Sequence, residues 1–244
     1  MVLKAVLLGF DGVIIKDIGL RERLIDDILI AENLRPNAAE YAEVCAGQSD
    51  RACLNQLLTR RGRVTTSDLL DKLQAKKAQA YIEQLADLPQ LPIYPGLPDL
   101  LYKVKTASLP LALVTNTAKV EVDWVLAQAK LTEYFSVIVT AQDLDLATEK
   151  PAPQSYERAI ARLNEQYPKL TIQPGNCLAV EARYAGIAAA QSAQVPVVGV
   201  AHYHPYRMVQ RRADWVVDYL NEIDFDWIRE GYELRRQRLK TAPR

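Results

Sequence analysis

The sequence KAVLLGFDGVIIKD, from Lys4 to Asp17, decides the fold of this 244-residue chain. Its dense apolar run predicts a strand that is buried on both faces, and Asp11 followed by Gly12 predicts a turn at the end of that strand. In open α/β sheets the loops at the carboxyl ends of the strands form the ligand crevice. The loop that carries Asp11 is therefore expected to border a ligand site.

Other segments share the character of that strand, and helical patterns separate them. The strand-like segments are LPLALVTN near residue 109, FSVIVTA near 135, NCLAVEA near 176, VPVVGVA from Val195 and, as an edge strand, ADWVVDY from Ala213. The helical segments are YPGLPDLLYKVKTA, KVEVDWVLAQAKL, APQSYERAIARLNEQY and AGIAAAQSAQ. This alternation predicts a doubly wound α/β fold with a mostly parallel sheet.

The stretch from Asp17 to about Gln90 interrupts the alternation because it offers only helical periodicities. Turn residues in LPIYPG and the short stretch 16–18 mark its two connections to the rest of the chain. The sequence therefore predicts an α/β core over residues 1–16 and 95–228. A small all-helical cap is predicted over 17–94, and a basic C-terminal helix or tail over 229–244.

Composition narrows the possible partners and locations. Thirty basic and thirty acidic residues cancel, which gives no electrostatic reason to expect nucleic acid or an anionic membrane as a partner. No stretch is long and apolar enough for a membrane span, so a cytoplasmic protein is expected. The cysteines are odd in number and lack metal-ligand spacing, which predicts buried reduced thiols. They are Cys45, Cys53 and Cys177.

Four short motifs occur in order along the chain, each after a predicted strand or before a predicted helix. They read Gly9-Phe10-Asp11-Gly12, Thr115-Asn116, Lys150-Pro151-Ala152-Pro153, and Glu181-Ala182-Arg183-Tyr184-Ala185-Gly186-Ile187. With these motifs the chain resembles the helical-cap branch of the haloacid dehalogenase-like superfamily, in particular its β-phosphoglucomutase-like and phosphoglycolate-phosphatase-like hydrolases. The resemblance covers nearly the whole length and implies a Rossmann-like core.

The resemblance also implies roles for the motif residues. In active relatives a first Asp attacks phosphorus and a second Asp acts as general acid and base. A Thr hydroxyl and a Lys ammonium hold the phosphoryl oxygens, and Mg²⁺ bound to carboxylates neutralises their charge. On this chain the acid/base position is Asp11, and the phosphate-binding positions are Thr115, Asn116 and Lys150.

Two positions depart from the family pattern. Gly9 stands where the nucleophilic Asp is expected, and Ala182 replaces the second acid of the metal-binding pair that begins with Glu181. Losing such a nucleophile costs on the order of 10⁶ in rate, and Mg²⁺ is rarely held tightly by a lone carboxylate. We therefore expect no tight Mg²⁺ site. Without the metal, Lys150 is predicted to pair with Asp11 or Glu181.

The sequence leaves three functions open. The favoured one is a catalytically degenerate protein that acts by binding a protein partner, as a regulatory, scaffolding or assembly factor. The first alternative is a weak phosphatase for a small phosphorylated metabolite, the only case in which Mg²⁺ would be required. The second is a metal-free sensor of phosphate or a phosphorylated metabolite, built from Thr115, Asn116 and Lys150. A purely structural role is also open, with Thr115 capping the helix near Lys119.

The predicted cap contains a loop, Ala46–Arg51, that resembles the substrate-specificity loop of the family. On that interpretation Gly47 and Arg51 approach the ligand. The alternative is a plain helix-turn-helix in which Gly47 ends one helix and Ser49 or Asp50 caps the next.

Two features near the C-terminus suggest contact surfaces. His202 and His204 lack a nearby cysteine or acid, so a metal site is not expected there, and Tyr203 and Tyr206 are predicted to be exposed anchors for a partner. The last residues carry an excess of basic side chains, typical of a solvated helix or of an arm that docks on an acidic protein. These are Arg229, Arg235, Arg236, Arg238, Lys240 and Arg244.

Overall fold

A six-stranded, fully parallel sheet forms the centre of the computed structural model, which describes residues 2–231. The strands are β1 Ala5–Leu8, β2 Leu111–Val114, β3 Val137–Val139, β4 Cys177–Glu181, β5 Val197–Val200 and β6 Trp215–Val217. Their spatial order is β3-β2-β1-β4-β5-β6. All six predicted strands are confirmed. The strand order reverses between β1 and β4, which is where an open α/β sheet forms its ligand crevice.

Within the described part of the chain, nine α-helices connect or flank these strands, and a further helical stretch occupies residues 225–231. Four lie between β1 and β2: α1 Ile18–Ala31, α2 Ala38–Val44, α3 Asp50–Arg60 and α4 Ser67–Ala86. The others are α5 Leu97–Thr106, α6 Lys119–Gln128, α7 Gln154–Gln166, α8 Tyr184–Ser192 and α9 Tyr206–Gln210. The doubly wound fold with an inserted helical region is confirmed. The exact domain boundaries stay a prediction, and the short helices α2 and α9 were not predicted.

Each face of the sheet is covered by a separate apolar core because side chains alternate along a strand. Val6 and Leu8 of β1 point to the core shared with α5 and α6. Ala5 and Leu7 point to the opposite core, shared with α7, α8 and α9. The helices α1 to α4 enclose a third core of their own. The helical insertion therefore packs around its own interior.

A disulfide joins Cys45 and Cys53, whose Cα atoms lie 4.7 Å apart. The prediction of three reduced thiols is wrong for this pair. Cys45 ends α2 and Cys53 lies in the first turn of α3, and the turn between these helices brings the two side chains together. Cys177 is free, and burial raises the pKa of its thiol to about 12.

Breaking this disulfide is expected to destabilise the protein measurably. Because the bridge closes a loop with a sequence separation of 8 residues, the double variant Cys45→Ser/Cys53→Ser is expected to lose about 2–3 kcal/mol of unfolding free energy. Urea denaturation followed by circular dichroism measures this loss. Reductant is expected to destabilise the wild type similarly and to leave the double variant unchanged; equal sensitivity of both proteins would contradict the pairing.

Two further sequence predictions concern membrane-spanning helices and the basic C-terminal tail. No helix within residues 2–231 has the length and apolar composition needed to cross a bilayer. Of the basic C-terminal side chains, Arg229 lies in the described helical stretch 225–231. The remaining five lie outside the described residues, so the tail stays a prediction.

Candidate functional site

The motif residues of the core converge at the carboxyl ends of three neighbouring strands. Gly9 follows β1, Thr115 follows β2, and Glu181 is the last residue of β4. Leu8 pairs with Leu113 on one side and with Val180 on the other, so the residues that follow must be close in space. The sequence motifs therefore form one cluster in the crevice.

The carboxylate of Glu181 fills the space beside Gly9. A Cβ atom added to Gly9 would lie 2.5 Å from Oε2 of Glu181, and one added to Gly186 would lie 2.2 Å from the same oxygen. Real Cβ atoms essentially never approach another atom so closely. Glu181, which is 2% exposed, therefore fits only because both neighbours are glycines. No side chain at position 9 is compatible with this placement.

Lys150 is bound to groups of the protein itself. Its Nζ donates to Oε1 of Glu181 at 2.5 Å and to the carbonyl of Val114 at 2.6 Å. The hydroxyl of Tyr156 donates to the same Glu181 oxygen at 2.5 Å. The predicted pairing of Lys150 is confirmed with Glu181 and not with Asp11. The ammonium that would hold a phosphoryl oxygen in a relative is thus engaged by a buried carboxylate.

Asp11 is paired with a cation from the helical insertion. Nε of Arg21, on α1, lies 3.1 Å from Oδ1 of Asp11, and the hydroxyl of Thr117 donates to Oδ2 at 3.1 Å. Burial alone would raise the pKa of Asp11, but the positive charges of Arg21 and Arg183, with the Thr117 hydrogen bond, lower it. Asp11 is therefore an ionised, paired carboxylate at neutral pH. The sequence did not indicate Arg21, Thr117 or Arg183.

Thr115 organises the loop after β2. Its Oγ1 accepts a hydrogen bond from the backbone N–H of Thr117 at 3.0 Å and lies 3.0 Å from the Thr117 hydroxyl. The suggested cap of the helix near Lys119 is wrong, because Oε1 of Gln142 accepts from the Lys119 N–H instead. Thr115 acts within its own turn and does not reach α6.

Asn116 links three segments of the chain. Its Nδ2 donates to the carbonyl of Gly47, in the helical insertion, at 3.0 Å. The same amide group brackets Lys150, donating to its carbonyl at 3.2 Å and accepting from its N–H at 3.1 Å. The side chain therefore fastens the turn between α2 and α3, and the Lys150 backbone, to the loop after β2.

The loop that resembles a specificity loop is a helix-turn-helix, as the alternative interpretation predicts. Ser49 caps α3 by accepting from the N–H of Ala52 at 3.1 Å. Gly47 adopts the left-handed φ of +84° in the turn, and an added Cβ would lie 2.7 Å from that of Ala185. Arg51 donates to Ser67 and Gln74 of α4. Arg51 thus serves the insertion and does not line the crevice.

A buried charge network joins the insertion to the core. Glu121, on α6, is fully buried and accepts from Nζ of Lys77 on α4 and from Nη1 of Arg21, both at 2.9 Å. Arg21 also donates to Asp17 at 2.7 Å, and Lys77 lies 2.8 Å from Asp50. No sequence motif indicated this network. One sign of it was available in Lys77, a lysine that stands at a position of the apolar face of α4.

A cavity of about 30 Å³ lies between the insertion and the core. That volume holds about two water molecules. Asp11, Arg21 and Arg183 are among its lining residues. The guanidinium of Arg183 stacks on the ring of Tyr203, 4.1 Å from its centroid. The crevice is therefore narrow, and two arginines and two carboxylates, those of Asp11 and Asp50, line it.

A family model described as a haloacid dehalogenase-like hydrolase matches residues 3–194. The chain belongs to the haloacid dehalogenase-like hydrolase family. It is 33% identical to the protein CbbY of Rhodobacter capsulatus over 129 residues, which is 52% of each protein. It is 26% identical to the beta-phosphoglucomutase of Bacillus subtilis over 239 residues, 97% of this chain and 98% of that one. The chain spans about half the length of the CbbY proteins it matches.

Solved structures share the fold of this haloacid dehalogenase-like protein. A beta-phosphoglucomutase from Clostridium difficile has a TM-score of 0.80 at 22% identity and covers 97% of this chain and 100% of that one. CbbY from Rhodobacter sphaeroides, solved in complex with phosphate, has a TM-score of 0.77 at 20% identity, with 90% and 96% coverage. Identities this low establish the fold alone.

Members of the haloacid dehalogenase-like family commonly use Mg²⁺, but the donor set of this chain does not fit that ion. Mg²⁺ requires several oxygen ligands in octahedral geometry, and neither Gly9 nor Ala182 has a side-chain donor. Oε1 of Glu181 accepts from Lys150 and Tyr156. Arg183, the residue after Ala182, brings a positive charge close enough to lower the pKa of Asp11. The positive charge beside Asp11 therefore comes from guanidinium groups.

The two histidines have separate aromatic partners. His202 stacks on Tyr94 at 4.0 Å and its Nδ1 donates to the carbonyl of Gly12 at 2.8 Å. His204 stacks on Tyr184 at 3.7 Å. Burial lowers the pKa of both, that of His204 to about 4. Both rings are therefore neutral packing elements of the loop after β5.

Proposed function

We propose that this haloacid dehalogenase-like protein does not hydrolyse phosphate esters and acts by binding. The observation that carries the proposal is the carboxylate of Glu181, which fills the space at Gly9 and engages Lys150. Nucleophilic catalysis needs an attacking group in line with the scissile bond. This chain has a buried ion pair in that place.

The geometry of this site does not favour the alternative of a weak phosphatase. Asp11 lies two residues beyond the nucleophile position, and in the family that carboxylate addresses the leaving group, on the opposite side of the phosphorus. It is already paired with Arg21 and Thr117. The cavity of about 30 Å³ is also small for a phosphate ester. A replacement nucleophile is therefore not supported by the geometry.

The alternative of a phosphate sensor at Thr115, Asn116 and Lys150 also meets an obstacle. All three side chains are buried and bonded to the chain itself. To reach Lys150, an anion would have to displace Glu181. That displacement would break a buried ion pair, which is strongly unfavourable. A sensor function is consistent with this chain only if the anion is held by other residues.

The proposed binding role includes a protein partner and a cytoplasmic location. Tyr203, Tyr206 and Met208 are each about 40% exposed on the segment after β5, and tyrosines are favoured anchors in interfaces. The disulfide between Cys45 and Cys53 counts against the cytoplasmic location, because disulfides are rare in reducing compartments. Native purification of the tagged chain tests the partner; a chain that elutes alone would contradict it.

The decisive assay is hydrolysis of an aryl phosphate by the pure protein with Mg²⁺. We expect the wild type to release phosphate no faster than its Asp11→Asn variant, since neither has a nucleophile at position 9. An active beta-phosphoglucomutase-like relative, assayed at the same concentration, provides the positive control. Mg²⁺-dependent turnover by the wild type that Asp11→Asn abolishes would overturn the proposal.

A further inference from the structure

We propose that the cavity between the helical insertion and the core is a metal-free site for a compact oxyanion, held by Arg21 and Arg183. The inference rests on the proposed function, because a hydrolytic site would need these positions for substrate and metal. The ligand class is a small anion with two or more oxygens, such as formate, bicarbonate or phosphate. Arg21 lies outside the four sequence motifs, and Arg183 stands in the fourth at a position to which the resemblance assigns no role.

Both arginines have buried donors without an acceptor. Nη2 of Arg21 and Nη1 of Arg183 are buried and have no hydrogen-bond partner among the described residues. The two side chains belong to residues that are only 8% and 9% exposed. Buried polar atoms are nearly always satisfied, by protein, water or ligand. Two such donors beside one cavity indicate that something else accepts from them.

The orientation of Arg21 directs its free donor towards the cavity. In the planar guanidinium, Nε and Nη2 lie along one edge of the fork. Nε is 3.1 Å from Oδ1 of Asp11, and both Arg21 and Asp11 line the cavity. Nε also donates to Oδ2 of Asp17 at 2.7 Å, so Nη2 lies on the edge that faces Asp11 and Asp17, while Nη1 donates to Glu121.

Arg183 is a cavity-lining cation with no carboxylate at salt-bridge distance within residues 2–231. Asp11 is paired with Arg21, and Asp50 with Lys77. Arg183 stacks on Tyr203. A guanidinium whose plane is fixed by stacking presents its N–H edge for bidentate contact with an oxyanion. An oxyanion in the cavity would accept from both arginines.

The size of the cavity restricts the ligand. About 30 Å³ accommodates about two water-sized groups, which favours the smallest oxyanions over a sugar phosphate. Such an anion requires no Mg²⁺ and leaves the pair formed by Lys150 and Glu181 intact. The site therefore differs from the phosphoryl site of the family in its residues and in its charge balance.

Thermal unfolding in EDTA, with sodium phosphate or sodium formate compared against sodium chloride at equal ionic strength, tests the proposal. We expect at least one oxyanion to raise the wild-type Tm saturably, by about 2–4 °C or more at high occupancy. Arg183→Gln is expected to weaken that anion at least tenfold. The matched control is Arg212→Gln, because Arg212 also stacks on a ring, that of Tyr184 at 4.3 Å, but does not line the cavity.

Two results would overturn the oxyanion site. One is no saturable shift with either anion, which would mean that the cavity holds only water. The other is equal affinity in the wild type and in Arg183→Gln. If Arg183→Gln does not fold, Arg183→Lys keeps the charge without the bidentate fork and is expected to bind about tenfold more weakly. Failure of this site leaves the absence of hydrolysis untouched, whereas aryl phosphate turnover would overturn the proposed function whatever the anion affinity.

Discussion

Replacing Glu121 with alanine is expected to lower the free energy of unfolding by about 3–5 kcal/mol. Glu121 is fully buried and accepts from Lys77 and Arg21 at 2.9 Å each. Burial raises the pKa of its carboxyl in spite of the attraction of Arg21 and Lys77, which shows how strongly the site is desolvated. Removing the carboxylate takes a buried hydrogen-bond acceptor from both Lys77 and Arg21. Urea denaturation at neutral pH measures the loss.

The control for this variant lies on the same helix. Asp123 on α6 forms an ion pair with Lys119, and both side chains are about half exposed. Asp123→Ala is expected to cost less than about 1 kcal/mol, because solvent screens such pairs. Similar losses for Glu121→Ala and Asp123→Ala would show that the buried network does not fasten the insertion to the core.

The sheet was predictable because its signal is local. Each strand is a short apolar run buried on both faces, and each helix that follows a strand has an apolar face, so composition and spacing suffice. The disulfide and α2 were not predictable in this way. The seven residues of α2, AAEYAEV, contain few large apolar side chains. The approach of Cys45 to Cys53 depends on the turn between two helices, not on their number or spacing.

The position of the candidate site was predictable from the sequence, but the packing and the ion pairs of its side chains were not. Parallel strands bring Gly9, Thr115 and Glu181 together because each stands at a strand end. The space beside Gly9 is filled because the carboxylate of Glu181 also packs against Gly186, which lies far along the chain. The charge network likewise joins Arg21 to Glu121 across 100 residues. One signal was available, since Lys77 follows Leu70 and Leu73 on a buried helical face and lysine is rarely buried unless paired.

Restoring the nucleophile of the family with Gly9→Asp is expected to destabilise the protein by about 3–5 kcal/mol. The new Cβ would lie 2.5 Å from Oε2 of Glu181, and a second carboxylate would enter a site whose single cation, Lys150, is already paired. Overpacking and like-charge burial therefore act together. Denaturant unfolding measures the effect, and the aryl phosphate assay is expected to stay at background.

A double-mutant cycle separates this explanation from a general intolerance of side chains at position 9. Glu181→Ala removes the obstructing carboxylate and leaves Lys150 unpaired. In that background the carboxylate of Gly9→Asp has space and a cation, so the double variant is expected to be more stable than the sum of the single losses by about 2–3 kcal/mol. Additive losses would contradict the view that Glu181 replaces the nucleophile sterically and electrostatically.

Gly19→Asp is the matched control for the same substitution elsewhere. Gly19 is exposed in the first turn of α1, and the atom nearest to an added Cβ is Nη1 of Arg23 at 3.9 Å. An acid at a helix N-terminus is favourable by about 0.3–1 kcal/mol, which offsets the cost of changing the backbone residue. A large loss at position 9 with almost none at position 19 would locate the penalty in the contact with Glu181. Recovering hydrolysis would then require clearing the space that Glu181 fills before a nucleophile is added.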